Sequence, residues 1–455
     1  MKRGIIFCLL TLGLILGAQA RAAELKIGGE FLAGGLYLDK TTLKKDTVAD
    51  GPSTAFYFQR LRLNSTFIIH PGLMLITRAD IMKRAWGAGR SVPGTALDTG
   101  SAGTRAENEN IALDWAYVQY LSPVGIFRVG YMNDNVWGTV FADGAGPKGK
   151  VAWSYVRDPW MVTVQIVKMG DNSRTATNPA VAASDVDNDK YCAAVRYSWK
   201  GGETGILGGV GRDATNKPAG NYKAQFYTLI PYAVVQVGPV KIQAEADYFW
   251  GKWKHYETSQ EDLKLDSLSA WIDVTADFGK FYAAGSIAYV SGDDPGSADK
   301  IEANSLLVNG GRDWTPCLIL FNSDLTYWAG NQLGHNAVMT PLNPSGYNGG
   351  PMTNAWFFQI RGGVRPIDKL DIMASVSYAN ADKKPWADPK DPATAYLYND
   401  YGYELDVTAT YKITNNLSYM LGAGYLFTGK YFKGAADSNN ISDDYLLINK
   451  LTLTF

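Results

Sequence analysis

Tyr445-Leu-Leu-Ile-Asn-Lys-Leu-Thr-Leu-Thr-Phe455 is the stretch on which the reading of this chain turns. Leu451, Leu453 and Phe455 share one face of an extended strand, and Lys450, Thr452 and Thr454 share the other. Strand side chains alternate with a period of two, so one face is apolar and one is wet. The same alternation runs through Tyr403-Glu-Leu-Asp-Val-Thr-Ala-Thr-Tyr411, with apolar residues at odd positions and polar ones at even positions. Leu417, Tyr419, Leu421, Ala423, Tyr425 and Phe427 likewise oppose Ser418, Gly422, Gly424 and Thr428. A frayed soluble terminus is usually polar, and this one is not. In lipid every backbone polar group must find a partner, so strands of this kind must close into a barrel.

The start of the chain points the same way. Lys2 and Arg3 precede an apolar run from Gly4 to Gly17, then small residues at Ala18, Ala20 and Ala22. That order predicts a secretory signal peptide over 1–22, with a β-barrel over 23–455. Strand pattern then begins at once with Leu25-Lys-Ile-Gly-Gly, leaving no room for a plug domain ahead of the barrel.

Composition narrows the class. The chain holds 27 Tyr, 17 Phe, 13 Trp and 48 Gly, and the mature part has no run of 18 apolar residues that would make a membrane helix. Rich aromatics with alternating hydropathy fit a transmembrane barrel. A formal net charge of −1 argues against nucleic acid as a partner.

Short turns recur. They are His70-Pro-Gly72, Ser122-Pro-Val-Gly125, Arg157-Asp-Pro-Trp160, Lys200-Gly-Gly-Glu203, Val237-Gly-Pro239, Phe278-Gly-Lys280, Pro366-Ile-Asp-Lys369 and Ile413-Thr-Asn-Asn416. Each carries the Pro, Gly, Asn or Asp that a chain reversal needs. Longer polar segments alternate with them, near 39–53, 87–108, 138–149, 171–189, 213–221, 256–262, 294–353, 383–400 and 431–441. Eight turns plus a first and a last strand predict an all-β, single antiparallel transmembrane barrel of 18 strands. The number falls to 16 if the hairpin 190–213 is not counted. Short periplasmic turns and long extracellular loops follow from the rhythm. Tyr37, Trp115, Tyr117, Trp153, Tyr155, Trp199 and Trp250 lie near strand ends, where an interfacial girdle is expected.

With these residues in view, two resemblances appear. The terminal Leu451, Leu453 and Phe455 resemble the C-terminal signal that the barrel-assembly machinery reads in bacterial outer-membrane proteins. Ile111-Ala-Leu-Asp-Trp-Ala-Tyr-Val-Gln-Tyr120, a tight turn and Phe127-Arg-Val-Gly-Tyr131 together resemble a hairpin of the general and phosphate-selective porins. The likeness implies an outer-membrane location beside lipid and lipopolysaccharide, passage of ions or small solutes, and a homotrimer. General porins fold a long loop into the pore after this hairpin. Here the corresponding segment, 138–149, is short, so that constriction does not carry over.

Lumen-facing charge is the main functional signal. The alternation turns Arg60, Arg62, Arg78, Arg128, Lys150 and Arg196 inward, with Asp80 and Asp114 among them. Later strands turn Glu245, Asp247, Asp273, Glu404 and Asp406 inward, with Arg361. The early wall is thus more basic and the later wall more acidic. Opposed charges across a water-filled lumen orient solutes and set ion preference, here mildly toward anions. The competing reading is that these charges pair between strands and hold the barrel's shape.

Residues 294–353 form an uncommonly long loop. It contains Ser305-Leu-Leu-Val308, Cys317-Leu-Ile-Leu-Phe321 and Leu325-Thr-Tyr-Trp328, too apolar to stand in water, so it is expected to fold into or over the barrel mouth. Cys192 faces inward and Cys317 lies in this loop; a bridge between them would pin loop to wall, and two free thiols are the alternative. No C-x-x-C or EF-hand spacing exists, so neither a metal site nor a cofactor is expected. The acidic runs 185–189 and 437–440 read as solvated loop tips. Three histidines, His70, His255 and His335, lack any nucleophile motif, so the chain does not read as an enzyme. The function expected is an outer-membrane porin for passive diffusion of ions and small hydrophilic solutes. The alternatives are a selective or export channel for anionic sugars or polysaccharide, or a sheath around a partner protein.

Overall fold

In the computed structural model the described residues are 24–40, 43, 53–87, 111–144, 146–171, 186–303, 307, 310–323, 351–388 and 390–455. The expected signal peptide, 1–22, lies outside them, as do Ser305, Leu306, Val308, Leu325–Trp328 and His335.

The chain forms β1 (Glu24–Leu38), β2 (Thr54–His70), β3 (Leu73–Ala85), β4 (Ile111–Ser122), β5 (Gly125–Asp134) and β6 (Gly146–Arg157). Next come β7 (Trp160–Gly170), β8 (Asn188–Trp199), β9 (Gly202–Asp213), β10 (Tyr222–Val237), β11 (Val240–Tyr256), β12 (Leu263–Asp277) and β13 (Phe281–Val290). A two-residue strand, β14 (Lys300–Ile301), lies parallel to β12 and outside the antiparallel succession. The wall resumes with β15 (Ala355–Ile367), β16 (Leu370–Ala381), β17 (Asp400–Lys412), β18 (Leu417–Thr428) and β19 (Asp444–Thr454).

Every wall strand pairs antiparallel with its neighbour in sequence, and β1 pairs with both β2 and β19. Leaving out β14, the barrel closes with 18 strands, the number the turns predicted. All eight predicted turns join neighbouring strands at one rim. Closure satisfies the backbone without any sheet edge. Leu451 and Leu453 sit in β19 opposite Ala33 and Phe31 of β1. Phe455 exchanges two backbone hydrogen bonds with Gly29, at 2.9 and 3.1 Å, carrying the seam to the last residue.

Alternation holds where strands pair without slippage. The outer face of β17, for example, exposes Tyr403, Leu405 and Val407, while Glu404 and Asp406 are buried on the other. It fails at one place the sequence reading relied on. Arg78 pairs with Trp115 and Ala79 with Leu113, so Asp114 is an extra residue in β4. Such a bulge shifts the faces by one position. Trp115 therefore turns inward under the Arg78 guanidinium, 3.9 Å from its ring centroid, and is not part of an outer girdle. Tyr117, two residues on, shares that inward face and feels the charge of Arg128.

Candidate functional site

Among the described residues, segments of two loops cross or line the lumen. The first, 135–145 between β5 and β6, is short but does not stay at the rim. Trp137 donates its indole N–H to the Ile230 carbonyl of β10 at 3.0 Å, and its ring meets Tyr232 edge-on at 5.3 Å. The Thr139 N–H donates to Glu245 of β11, and Phe141 stacks on Trp271 of β12 at 5.8 Å. A loop leaving between β5 and β6 reaches these strands by crossing the lumen. The segment is short, as the sequence indicated, yet it does enter the pore, through contacts of its own. β5 ends at Asp134 and β6 begins at Gly146, and at about 3.3 Å per residue the ten or so residues between them can span some 30 Å. Gly138, at φ +79°, makes the passage feasible: a Cβ there would stand 2.5 Å from Glu245 Oε2.

The second loop runs between β13 and β15, and its residues 310–323 pack against the inner wall. Ile319, Leu320 and Phe321 are wholly buried. The Ile319 and Leu320 N–H groups donate to Glu404 Oε1 and Oε2, both at 2.6 Å, and the Leu318 N–H lies 3.4 Å from Asp406 Oδ2. Gln359 of β15 donates to the Pro316 carbonyl at 2.7 Å. The apolar patch receiving the loop comes from Leu36 and Leu38 of β1, Phe58 of β2, Leu426 of β18 and Leu446 of β19, all at inward positions.

The loops also hold each other. The Asp143 carbonyl accepts from the N–H groups of Arg312 and Asp313 at 2.8 and 3.0 Å. Trp314 stands edge-on to Phe141 at 5.2 Å and to Phe357 of β15 at 5.5 Å, and Phe321 meets Phe357 and Tyr401 in the same way. Gly311, at φ +70°, allows the approach: a Cβ would lie 2.5 Å from the carbonyl oxygens of both Asp143 and Phe141. Desolvation pushes the Asp143 carboxyl up to about 7; the Trp137 N–H opposes the shift and Asp313 adds to it.

Charge in the lumen is mostly paired. Arg60 meets Glu30 at 2.6 Å, Arg62 grips Asp80 through two nitrogens at 2.6 and 2.8 Å, and Arg78 meets Asp114 at 3.1 Å. Asp134 serves both Lys150, at 3.6 Å, and Lys190. Arg361 pairs with Asp273 at 2.7 Å, and Arg196 with Glu203 at 3.7 Å. Arg128 differs: it donates to the neutral Gln119 at 2.7 Å and has no carboxylate partner among the described residues. The pairing reading of these charges is thus right in large part. In four pairs the cation clearly keeps more contact with solvent than the acid: Arg62 23 % against Asp80 6 %, Lys150 11 % and Lys190 19 % against Asp134 2 %, and Arg361 22 % against Asp273 3 %. Arg60 and Glu30 run the other way, at 10 % and 32 %. The acids of the later wall are shut off further, because Glu245, Glu404 and Asp406 accept the loops' backbone amides.

Cys192 and Cys317 are both free thiols, the second of the two alternatives that the sequence left open. Cys192 packs with Ala194 and Leu207 of the β8–β9 wall, whereas Cys317 packs in the loop cluster, 3.3 Å from Ser377 Oγ of β16. Burial, then the charges of Glu404 and Asp406, hold the Cys317 thiol well above its ordinary value. In the run 185–189, Asp187 and Asp189 bind Lys168 at 2.7 and 3.1 Å.

Sequence reading missed Glu30, Asp134, Lys190 and the aromatic seam of Phe141, Trp271, Trp314, Phe357 and Tyr401. The seam left a trace: Trp271 and Phe357 occupy inward positions, where a wet wall has no use for a large ring.

No family model matches the sequence, and no curated protein matches it. Solved structures do match. A BenF-like porin from Pseudomonas fluorescens Pf-5 aligns at TM-score 0.52 and 11 % identity, over 94 % of this chain and 99 % of its own. Pseudomonas aeruginosa OpdQ aligns at 0.51 and 11 %, over 95 % and 98 %. Pseudomonas aeruginosa OccK2 (OpdF), in complex with glucuronate, aligns at 0.50 and 12 %, over 94 % and 98 %. At such identities the likeness is one of fold, and the fold of this chain is the closed 18-strand barrel of the porins.

Proposed function

We propose that the chain forms a water-filled channel through the bacterial outer membrane, for passive passage of small hydrophilic solutes with a preference for anions. The observation that carries the preference is the unequal exposure of lumen charge. Loop amides cover Glu245, Glu404 and Asp406, while Arg62, Lys190, Arg196 and Arg361 keep solvent contact. Fixed cations in a narrow aqueous passage raise the local concentration of anions. In this reading the loop segments 135–144 and 310–323 together set the constriction, residues 1–22 are the export signal, and Leu451, Leu453 and Phe455 address the barrel-assembly machinery.

The test is single-channel conductance of the refolded mature protein in a planar bilayer under a salt gradient. Stepwise openings with a reversal potential of anion sign support the reading. Silence from a correctly folded barrel, or a cation-sign potential, sinks it.

A second reading is selective uptake of carboxylates. OccK2 has been solved with glucuronate and Pseudomonas aeruginosa OpdK with vanillate, both carboxylates, and the basic wall here suits that class. Saturable block of the ion current by glucuronate, with none by the uncharged sugar, would favour it.

A further inference from the structure

We propose that Cys317, Glu404 and Asp406 form a site for a thiophilic divalent cation of the zinc class, which staples the inward loop to β17. The Cys317 thiol and one oxygen from each carboxylate all lie within 4.8 Å of one another, and all three residues are buried. The second observation is an atom that takes no donor from loop or wall: Asp406 Oδ1 is fully enclosed, in a residue only 3 % exposed, and what faces Asp406 there is a second acid, the Glu404 carboxyl. Its sister oxygen is already engaged by Leu318 and Ser375, so the free lone pairs belong to Oδ1. Buried carboxylates are paired, or they bind a metal.

The donor set decides the class of ion. One thiolate and two carboxylates suit zinc, whose Zn–S and Zn–O bonds of about 2.3 and 2.0 Å put tetrahedral ligands roughly 3.5 Å apart. Calcium and magnesium take oxygen ligands and would leave the sulfur unused. Reaching zinc geometry needs the three donors to close by about 1 Å, a rotamer-scale movement. A cavity of about 120 Å³ adjoins Cys317 and Asp406, lined also by Thr408, Met373, Met420 and Lys450. It has room for a water as fourth ligand.

Binding is a proton exchange. The Cys317 S–H bond breaks as the S–metal bond forms, and that proton, with any shared by the two carboxyls, leaves to solvent with no change of oxidation state. Glu404 can ligate while still accepting from Ile319 and Leu320, since a carboxylate has about four lone-pair sites. The consequence is mechanical: the metal joins loop residue 317 to wall residues 404 and 406, adding a bond where the amides already hold the loop.

The experiment titrates the refolded, full-length protein with Cd²⁺, whose thiolate complex has an ultraviolet charge-transfer band, and then with Zn²⁺ as competitor. The expected result is one equivalent of Cd²⁺ bound, a band displaced by Zn²⁺, loss of the band in Cys317→Ser, retention in Cys192→Ser, and affinity at least ~10-fold weaker in Asp406→Asn. Folding of each variant is read from heat-modifiable electrophoretic mobility. Should Cys317→Ser not fold, alkylation of the wild type decides: Zn²⁺ must slow modification of Cys317 by about 10-fold or more and leave Cys192 unchanged. No band in folded wild type, or equal uptake by folded Cys317→Ser, or equal protection of both thiols, overturns the site. None of these readouts depends on whether the barrel conducts.

Discussion

The backbone N–H of Ile319 lies 2.6 Å from Glu404 Oε1, and neither residue has any exposure. A carboxylate from the barrel wall thus terminates the backbone of a loop in mid-lumen, and Leu320 repeats the contact with the other oxygen. Replacing Glu404 by Ala leaves two buried amides without acceptors, at about 1–3 kcal/mol each. A loss of ~3 kcal/mol raises the undocked fraction of the loop by roughly two orders of magnitude. Larger, noisier single-channel currents and faster tryptic cleavage near Arg312 are expected, with the barrel's heat-modifiable mobility intact. Currents identical to wild type would refute the anchor.

The meeting of the two loops is tested separately at Gly311. Ala at this position forces a Cβ to 2.5 Å from two carbonyl oxygens, at a φ of +70° that side chains disfavour. We expect Gly311→Ala to cost about 1–3 kcal/mol at the junction. The fluorescence of Trp314 and Trp271 should shift toward that of exposed indoles. Gly208, in β9, where a Cβ meets nothing within 4 Å, is the control that should change little.

Ion preference should respond differently at Arg128 and Arg62. Arg128 donates to neutral Gln119, so Arg128→Gln removes a lumen cation without stranding an acid. Its reversal potential should move toward cations with no loss of stability. Arg62→Gln removes two hydrogen bonds from buried Asp80, leaving the charges of Arg60 and Lys83 near it, so it should move the potential and also destabilise by about 1.5–3 kcal/mol. Equal potentials in both variants and wild type would mean these cations do not set selectivity.

Asp143 predicts a pH dependence. Its carboxyl is pushed up to about 7 in the folded chain against an ordinary value of 3.8. Between these values the folded state binds one more proton than the unfolded, so the stabilising contribution is complete below about 4 and is lost as pH rises through 7. Asp313 from the second loop, with Glu245 and Asp247 from β11, presents like charge to it. Channel noise should therefore rise from about pH 4 to pH 7 and level off above it, and Asp143→Asn should flatten that rise. A rise unchanged in the variant would assign it to other groups.

The strand count, the short-turn rim and the inward register of Arg60, Arg62, Arg78, Glu245, Glu404 and Asp406 were legible in the sequence. Each is written in local chemistry, a period of two or a Pro, Gly or Asn at a reversal. The inward turn of Trp115 was not, because a bulge is a relation between two strands and appears only when β3 and β4 are paired. Nor was the course of 135–145, whose ten or so residues gave no sign of length; its docking partners lie on β10, β11 and β12, more than 80 residues away. The same holds for the fate of the later acids. Sequence alternation put Glu404 and Asp406 on the wet face, and only tertiary packing decided that loop amides, not water, meet them. Alternation determines which face a side chain takes; what fills the lumen in front of that face depends on contacts between segments far apart in the chain, which no local pattern encodes.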